Sequence, residues 1–584
     1  MVRWAYISIA ALSGAFLVWS CSAGSDTSQF GGTGGSSSTS SSGQGGDAGF
    51  NMNTDGGPGC ETHCSADLHA VVDCHDVVIL ECPPDQGCGE SGQCVPACQS
   101  AAENASTFGC DFYSVTPAVI SEARGGCFTV MVANTWTSPI TVQADYNGQT
   151  IDTSTYLYVP QGQGGGLTYS ATNGQLQPGE LGILFLSKYE SGDIFQIDCP
   201  AGVGNALEMS TQIDATGRGS AFHITTDRPI VAYDVYPWGG ATSYVTSATL
   251  LVPTPTWGTN FVTADAWEPL HGNHFTQVVA AADNTTVTMV PIAAVQGGNN
   301  VPAMAANTPT TFTLNRGEVV QFLQPTRLAG STLQADKPIS VWGGSSCMNI
   351  PQNNTACDAA HQQLLPVQTL GSEYVGVRYP PRGGNDMAPM TMIGMVDGTT
   401  LTYDPMPPGA PASLNRGQMA IFDTDTPFHV ISQDADHPFY MAAHMTGGAF
   451  ASGVGDPEFV NVVPPPQYLA YYLFATDPTY GNTALVFVRQ RADDNTFKEV
   501  ELECMGFITG WTPLGGGGLY EYAQIMIVQG GQGVGNCNNG AHTASSEMPF
   551  GLTVWGYDQY ASYAYPAGMS VEPINQVIVP PTPR

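Results

Sequence analysis

The chain has 584 residues, which is long enough for several domains with separate cores. Charged residues make up only 11%, while glycine (69) and proline (42) are abundant, a composition typical of short strands joined by tight turns. The 49 acidic and 15 basic residues give a net charge of −34, which excludes nucleic acid as a partner because a phosphate backbone would be repelled.

The N-terminus predicts an export signal followed by a lipid anchor. Arg3 precedes an apolar stretch over residues 4–19, which is too short to cross a bilayer but suits a signal-peptide core. The stretch ends in Leu17-Val18-Trp19-Ser20-Cys21, which resembles a bacterial lipobox. We therefore predict a signal peptide at residues 1–20 and lipidation at Cys21, with an ordinary secretory signal as the alternative.

The segment after Cys21 predicts where the protein is held. Acyl chains on Cys21 would make anchoring effectively permanent, and Ser22, which is not an aspartate, favours sorting to the outer membrane. Residues 21–59 are rich in Gly, Ser and Thr and are predicted to form a flexible tether. We expect an outer-membrane lipoprotein that faces the cell surface rather than the periplasm, with its lipid as the membrane contact.

Part of the tether imitates a calcium loop. Asn51-Met52-Asn53-Thr54-Asp55-Gly56 fits the first half of such a loop, but the twelfth position is Thr62 and not the glutamate that closes the site. A polar tether is therefore favoured over a Ca²⁺ site, and no other cofactor or metal is expected.

The cysteine count predicts a disulfide-braced protein. The 15 cysteines less Cys21 leave an even number, as expected for up to seven disulfides in an exported chain. Eight cysteines cluster in residues 60–110, and the first seven span fewer than forty residues with few large apolar side chains, so covalent bridges must replace a core. A zinc module is the alternative, although the sequence holds no Cys-x-x-Cys pair. The clustered cysteines are Cys60, Cys64, Cys74, Cys82, Cys88, Cys94, Cys98 and Cys110. The predicted later pairs are Cys127 with Cys199, Cys347 with Cys357, and Cys504 with Cys537.

The rest of the chain repeats itself. Leu314-Asn315-Arg316-Gly317 recurs as Leu414-Asn415-Arg416-Gly417. A second marker is a turn of the form Asp-x-Pro or Glu-x-Pro, whose proline occurs at four regularly spaced positions. Such self-similarity indicates four units of about 100–110 residues. The turn prolines are Pro229, Pro338, Pro438 and Pro549, and a Leu/Val run precedes Pro253, Pro366 and Pro464. The predicted units are residues 111–256, 257–378, 379–480 and 481–584.

Local patterns within the units predict strands. Residues 285–290 and 399–403 alternate polar and apolar side chains after Asp-Asn and Asp-Gly turns. Gly317 and Gly417 are predicted to occupy equivalent turn positions with φ > 0. We predict an all-β protein of about four tandem β-sandwich-like repeats, with a β-propeller built from the repeats as the alternative.

These repeated segments resemble the N-terminal domain of the IgGFc-binding protein family, a region also found in bacterial surface lipoproteins. The resemblance covers roughly residues 110–568 and is most specific at residues 314–322, 330–344 and 357–375. It implies an extracellular binding or structural role. It does not imply that this chain binds an antibody.

Two departures from the family matter. Family members often have Asp and His adjacent, whereas Ala359 and Ala360 separate Asp358 from His361. Larger relatives carry a self-cleaving Gly-Asp-Pro-His in other domains, but Gly455-Asp456-Pro457-Glu458 lacks the histidine, so self-cleavage is not expected.

A search for catalytic motifs finds neither Gly-x-Ser-x-Gly nor His-Glu-x-x-His. His271 and His274 are close in sequence, but a polar loop is favoured over a metal site, and Asp358 with His361 is favoured as structural. We therefore predict no enzyme activity and no catalytic residues. The favoured function is surface binding or adhesion, with an extracellular protein or glycan as partner. A structural envelope or matrix component is the alternative, and a hydrolase of unrecognised type is less favoured.

Overall fold

The computed structural model describes residues 62–583 apart from 243 and 355. The predicted signal peptide, Cys21, the tether, Cys60 and nearly all of the calcium-like segment lie outside these residues. Within the described part of the chain, no helix is long and apolar enough to cross a membrane.

A small disulfide module precedes the repeats. Its strands form a three-stranded sheet (β1-β2-β3) and a two-stranded sheet (β4-β5). Three bridges brace it, Cys64–Cys88, Cys82–Cys94 and Cys98–Cys110, and Cys74 is also disulfide-bonded. The elements are β1 His63–Cys64, β2 Ala70–Val72, β3 Val78–Glu81, β4 Gln86–Cys88, β5 Cys94–Pro96 and α1 Ala97–Glu103.

The first unit comprises the strands of residues 109–250. Cys127–Cys199 is its disulfide, the pair predicted from the sequence. Its elements are β6 Gly109–Ser114, β7 Phe128–Asn134, β8 Ile140–Tyr146, β9 Gln149–Ile151, α2 Thr153–Tyr156, β10 Leu157–Gln161, β11 Thr168–Ala171, β12 Gln175–Leu176, β13 Leu181–Ser187, β14 Gly217–Ser220 (which pairs into the second unit), β15 Phe222–Tyr236 and β16 Ser247–Leu250.

The second and third units follow in residues 258–364 and 373–461. The second contains the predicted Cys347–Cys357 bridge. The second-unit strands are β17 Gly258–Val262, β18 His274–Ala280, β19 Thr285–Val290, β20 Thr310–Leu314, β21 Glu318–Gln324, β22 Thr332–Met348 and β23 Asp358–Leu364. The third-unit strands are β24 Glu373–Gly376, β25 Ala388–Gly394, β26 Thr399–Asp404, β27 Ser413–Leu414, β28 Met419–Thr424, β29 Phe428–Ser432, β30 Phe439–Met445 and β31 Glu458–Asn461.

The fourth unit spans residues 469–566 and contains the predicted Cys504–Cys537 bridge. Its strands are β32 Leu469–Ala475, β33 Asn482–Gln490, β34 Val500–Leu502, β35 Gly506–Phe507, β36 Thr512–Leu514, β37 Tyr520–Gln529, β38 Gln532–Gly533, β39 Ala541–Asp558 and β40 Ala561–Pro566. Short 3-10 turns lie at Ser121–Ala123, Gly164–Gly166, Gly240–Thr242, Thr254–Thr256, Val367–Thr369, Gly448–Phe450 and Pro465–Gln467.

Each unit is built from two layers of antiparallel strands. In the third unit the layers are separate four-stranded sheets, β24-β29-β26-β27 and β28-β25-β30-β31. Aromatic side chains pack between them, with ring centroids of Tyr374 and Phe439 4.8 Å apart. In the other units one long strand (β15, β22 or β39) pairs in both layers and joins them. The all-β prediction of sandwich-like repeats is therefore confirmed.

The inner strands β16, β23, β31 and β40 contact one another in a closed circle, which we call the central ring. Side chains tie neighbouring strands together. Asn461 Nδ2 donates to the Gln363 carbonyl at 2.9 Å, and the Thr246 hydroxyl donates to the Ser562 carbonyl at 2.7 Å. The four units therefore close on one another.

The C-terminal segment secures this closure. The Thr107 amide donates to the Met569 carbonyl at 2.9 Å, and the Val571 amide donates to the Ala105 carbonyl at 2.7 Å. Beyond residue 571 the chain, which we call the tail (residues 572–583), continues past the fourth unit and lies against the second and third units.

Candidate functional site

The repeated Leu-Asn-Arg-Gly motif forms the same turn twice. Gly317 has φ 71° and Gly417 has φ 62°, which confirms the predicted left-handed positions. The Gly317 amide donates to the Ala280 carbonyl, and the Gly417 amide donates to the Gly394 carbonyl. The turns therefore present Arg316 and Arg416 in matching positions.

The strands that face these turns also match. In the first unit Gly109 pairs with Ile230 and Asp111 with Thr225. In the second unit Gly258 pairs with Ile339, and Asn260 pairs with Gln334, at the same offset along the long strand. Gly109 and Gly258 each pack against a repeat proline, Pro253 and Pro366 respectively. Asp111 and Asn260 therefore occupy equivalent positions in consecutive units.

A groove opens where the first unit meets the Arg316 turn of the second, and we call it the first groove. Its cavity volume is about 680 Å³. Its charged and aromatic lining includes Tyr113, Asp145, Arg218, His223, Arg316 and Glu318. Asp111 stands beside this lining, 3.2 Å from His223 Nε2 and 4.0 Å from an Arg316 guanidinium nitrogen.

His223 lies between two carboxylates in this groove. Its Nδ1 is 3.0 Å from an Asp145 oxygen, and its ring stacks on Tyr113 with centroids 4.6 Å apart. Burial alone would lower the pKa of His223, but the hydrogen bonds and negative charge of Asp111 and Asp145 outweigh it and hold the pKa above its ordinary value. The histidine therefore favours its charged form.

Arg316 is fixed at its base and exposed at its tip. Its Nε donates to the Tyr113 hydroxyl at 2.8 Å, while 53% of the side chain remains exposed. Arg218 pairs with Glu318 across the same groove at 2.5 Å. Rigid strands and one shared turn thus present hydrogen-bond donors and acceptors toward an open space.

The equivalent position between the second and third units, which we call the second groove, holds the tail. Asn260 Nδ2 donates to the Val579 carbonyl, and its Oδ1 accepts from the Val579 amide, both at 2.8 Å. Arg416 reaches the Pro583 carbonyl at 3.2 Å and the Thr582 hydroxyl at 3.3 Å. Here the paired Asn and Arg bind an extended stretch of polypeptide.

A second polar cluster lies at the central ring. His361 Nε2 is 2.6 Å from Asp234 Oδ1, and the Ser247 hydroxyl is 2.9 Å from His361 Nδ1. These are the residue types of a nucleophilic triad, but His361 and Asp234 are fully buried and Ser247 is 1% exposed. A substrate could not reach this serine, so the cluster holds strands together.

Asp358 has a separate set of partners. Its carboxylate accepts from the amides of Val245 and Thr246 at 2.7 and 3.2 Å and from the Thr246 hydroxyl at 3.1 Å. Burial, together with the charge of Asp456, raises the pKa of Asp358 well above its ordinary value. The structure therefore gives Asp358 and His361 distinct bonding partners.

The Gly-Asp-Pro-Glu segment adds two more buried acids beside the ring. Burial raises the pKa of Asp456 to about 7 and raises the pKa of Glu458 well above its ordinary range. Asp456 Oδ2 and Glu458 Oε2 have no hydrogen-bond partner among the described residues. These acids are held largely in their neutral forms at acidic pH.

The two histidines singled out from the sequence, and two tryptophans of the repeats, lie outside the first groove. His274 is not in a loop as expected but begins β18, where it is 2% exposed and lies 3.6 Å from Asp265, while His271 is exposed. Trp238 and Trp342 are fully buried. Among the described residues, Glu503, Cys504 and His542 form the one group of three potential ligands within 4.8 Å, and Cys504 is in a disulfide.

Sequence reasoning did not identify the groove residues Asp111, Asp145, His223 and Asn260. They lie far apart in the chain, and His223 and Asp145 are 78 residues apart. A signal was present in the repeated arginines, because a charged residue kept at the same place in two otherwise structural turns suggests a shared contact.

Comparisons with known proteins agree on one family. The family described as "IgGFc binding protein" matches residues 247–556, just over half of the chain. The human protein named "IgGFc-binding protein" is 23% identical over 260 residues, which cover 43% of this chain and 4% of that protein. The chain therefore spans a small part of that relative's length. No solved structure matches the chain.

Proposed function

The chain belongs to the IgGFc-binding protein family, and on that premise we propose that it is a surface lipoprotein that binds an extracellular protein without turning it over. Lipid on Cys21 would hold it to the outer membrane. The tether over residues 21–59 would reach about 30–35 Å on average, which is enough to lift the repeats clear of the bilayer.

The first groove is the observation that carries this proposal. It is open and is lined by strand residues together with the Arg316 turn, which suits a binding site whose turn is held in place by the surrounding sheets. Arg316 and Asp145 offer a donor and an acceptor within it. The acidic excess of the whole chain favours basic or neutral partners and disfavours acidic ones.

Binding without turnover fits the chemistry of the groove. Both ring nitrogens of His223 lie within 3.2 Å of a carboxylate, so the imidazole is already engaged on each side. A general base needs a free nitrogen facing the proton that it removes. The serine–histidine–aspartate cluster that could act on a substrate is sealed within the central ring.

Partner capture tests the proposal. The full chain with Cys21→Ser, released from the membrane, is immobilised and presented to extracellular proteins, including immunoglobulin Fc because the human relative's name points to it. Glycan arrays form a separate arm. We expect saturable binding of a protein that weakens with salt if the partner is basic.

The matched variants are Arg316→Gln in the first groove and Arg416→Gln in the second. The first should weaken capture at least about tenfold, since a charge-assisted hydrogen bond contributes about 1.5–3 kcal/mol, and the second should leave it unchanged. Turnover of any captured polymer, or recognition of glycans alone, would contradict the proposal. Unchanged membrane retention of the Cys21→Ser chain would contradict the lipid anchor.

A further inference from the structure

We propose that the first groove binds one extended peptide segment of a partner protein, in the way that the second groove binds the chain's own tail. This inference rests on the proposed function and adds to it the kind of ligand. The partner would therefore present a stretch of extended backbone, such as a terminus or a loop, and not a flat folded surface.

The tail is held through its backbone. Asn260 binds both the amide and the carbonyl of Val579, and Arg416 binds the carbonyl of Pro583. One side-chain hydroxyl, that of Thr582, adds a contact to Arg416 at 3.3 Å. Contacts of this kind recognise an extended chain with little dependence on its sequence. The tail residues Pro580, Pro581 and Pro583 also favour the extended form before binding.

The first groove repeats this arrangement with the same geometry. Asp111 replaces Asn260 at the same strand position, and Arg316 replaces Arg416 in the same turn. The backbone amides of Arg316 and Arg416 also have the same type of partner, since they donate to Asp283 and Asp397 at 3.0 and 2.9 Å. The 680 Å³ cavity falls within the range of ligand-binding clefts, which is roughly 300–1,000 Å³.

Asp111 occupies in the first unit the position that Asn260 occupies in the second, and this difference changes which peptide groups each groove can bind. An asparagine amide offers both a donor and an acceptor, whereas a carboxylate only accepts. In the first groove both ring nitrogens of His223 already face carboxylates, so the exposed guanidinium of Arg316 would supply the missing donor. Asp111 would accept a peptide N–H, and Arg316, 4.0 Å from it, would donate to the adjacent carbonyl. Asp145 and Glu318 add negative charge, which favours a peptide with a basic residue.

A fluorescent peptide with the sequence of residues 576–584, which includes Val579 and ends in one arginine, is a direct probe of the full chain. We expect saturable binding in the first groove with a stoichiometry of one. Arg316→Gln should weaken binding at least about tenfold, as loss of one charge-assisted hydrogen bond predicts. Arg416→Gln is the matched control and should not weaken it.

Three further measurements keep the test independent of folding defects. Ser220→Trp places a bulky side chain in the lining without removing Arg316 or its partners, and it should also abolish binding. A peptide methylated on the nitrogen that corresponds to Val579 lacks the N–H that Asp111 would accept, and should bind several-fold more weakly. A photoreactive group at the position of Thr582 should crosslink to the first groove.

The outcomes separate this inference from the proposed function. If Arg316→Gln and Ser220→Trp leave peptide binding intact, or crosslinks fall elsewhere, the peptide site is wrong even where an extracellular protein is still captured. If the peptide binds as expected but no protein is captured, the inference survives and the proposed function fails. Concentration-dependent dimers that Arg316→Gln dissolves would assign the groove to the tail of a second copy and overturn the partner assignment.

Discussion

Two histidines of this chain have similar partners and opposite surroundings. His361 at the central ring bonds Asp234 and Ser247 and is fully buried, whereas His223 in the first groove lies between Asp111 and Asp145 with 14% of its side chain exposed. Residue type therefore does not distinguish the binding site from the structural cluster in this chain. Solvent access distinguishes them, because a buried polar cluster can stabilise the fold but cannot contact a ligand.

The largest expected effect comes from breaking the buried cluster. His361→Ala leaves the Asp234 carboxylate in the ring without its main partner, and we expect a loss of about 3–5 kcal/mol in the free energy of unfolding. Urea denaturation followed by tryptophan fluorescence measures it. His223→Ala is the matched control and should cost at most about 1 kcal/mol, because its ion pairs are partly exposed. Equal losses at the two sites would contradict the comparison.

The acids beside the ring should make stability depend on pH. Asp456 has a pKa of about 7 in the folded chain and near 3.8 when unfolded, so the folded state binds more protons between these values. Stability is therefore highest below about pH 4 as far as this group is concerned, and it falls as the pH rises toward 7. Asp456→Asn should remove that fall. Compared with the unchanged chain, the free energy of unfolding of the variant should be about 1–3 kcal/mol higher at pH 8 than at pH 4.

An exposed aspartate provides the control of opposite sign. The hydrogen bond from His437 lowers the pKa of Asp434, so its stabilisation is present above pH 4 and is lost as the pH falls. Asp434→Asn should therefore lower stability above about pH 4, where the carboxylate is ionised, and have little effect at lower pH. Denaturation curves at pH 4, 6 and 8 would contradict both expectations if the two variants responded alike.

Much of the fold could be predicted from local sequence, and its closure could not. The turns at Gly317 and Gly417 and the disulfides between cysteines near in sequence follow from residue chemistry within short windows. The central ring depends on His361 meeting Asp234, 127 residues away, and the tail depends on Asn260 meeting Val579, 319 residues away. No periodicity encodes such contacts, so the site that they create was not predictable.

Loss of the tail contact should have an intermediate effect, and this effect should distinguish the second groove from the first. Asn260→Ala removes the donor and the acceptor that hold Val579, and we expect a loss of about 1–2 kcal/mol and faster hydrogen exchange at the Val579 amide. Asp111→Asn, at the equivalent position of the first unit, should leave that exchange rate unchanged. Unchanged exchange in Asn260→Ala would mean that the tail is held by other contacts.

The smallest expected effect is a pH dependence confined to the first groove. Because Asp111 and Asp145 raise the pKa of His223 above its unfolded value near 6.5, protonation favours the folded state. The resulting stabilisation is fully present below about pH 6.5 and is lost as the pH rises through the folded pKa. His223→Gln should therefore lower stability slightly at pH 5.5, by less than about 1 kcal/mol, and have no such effect at pH 9. NMR titration of the imidazole signals gives the pKa directly. If His223 titrates at or below 6.5, Asp111 and Asp145 do not hold its charge, and the electrostatic account of the first groove is wrong.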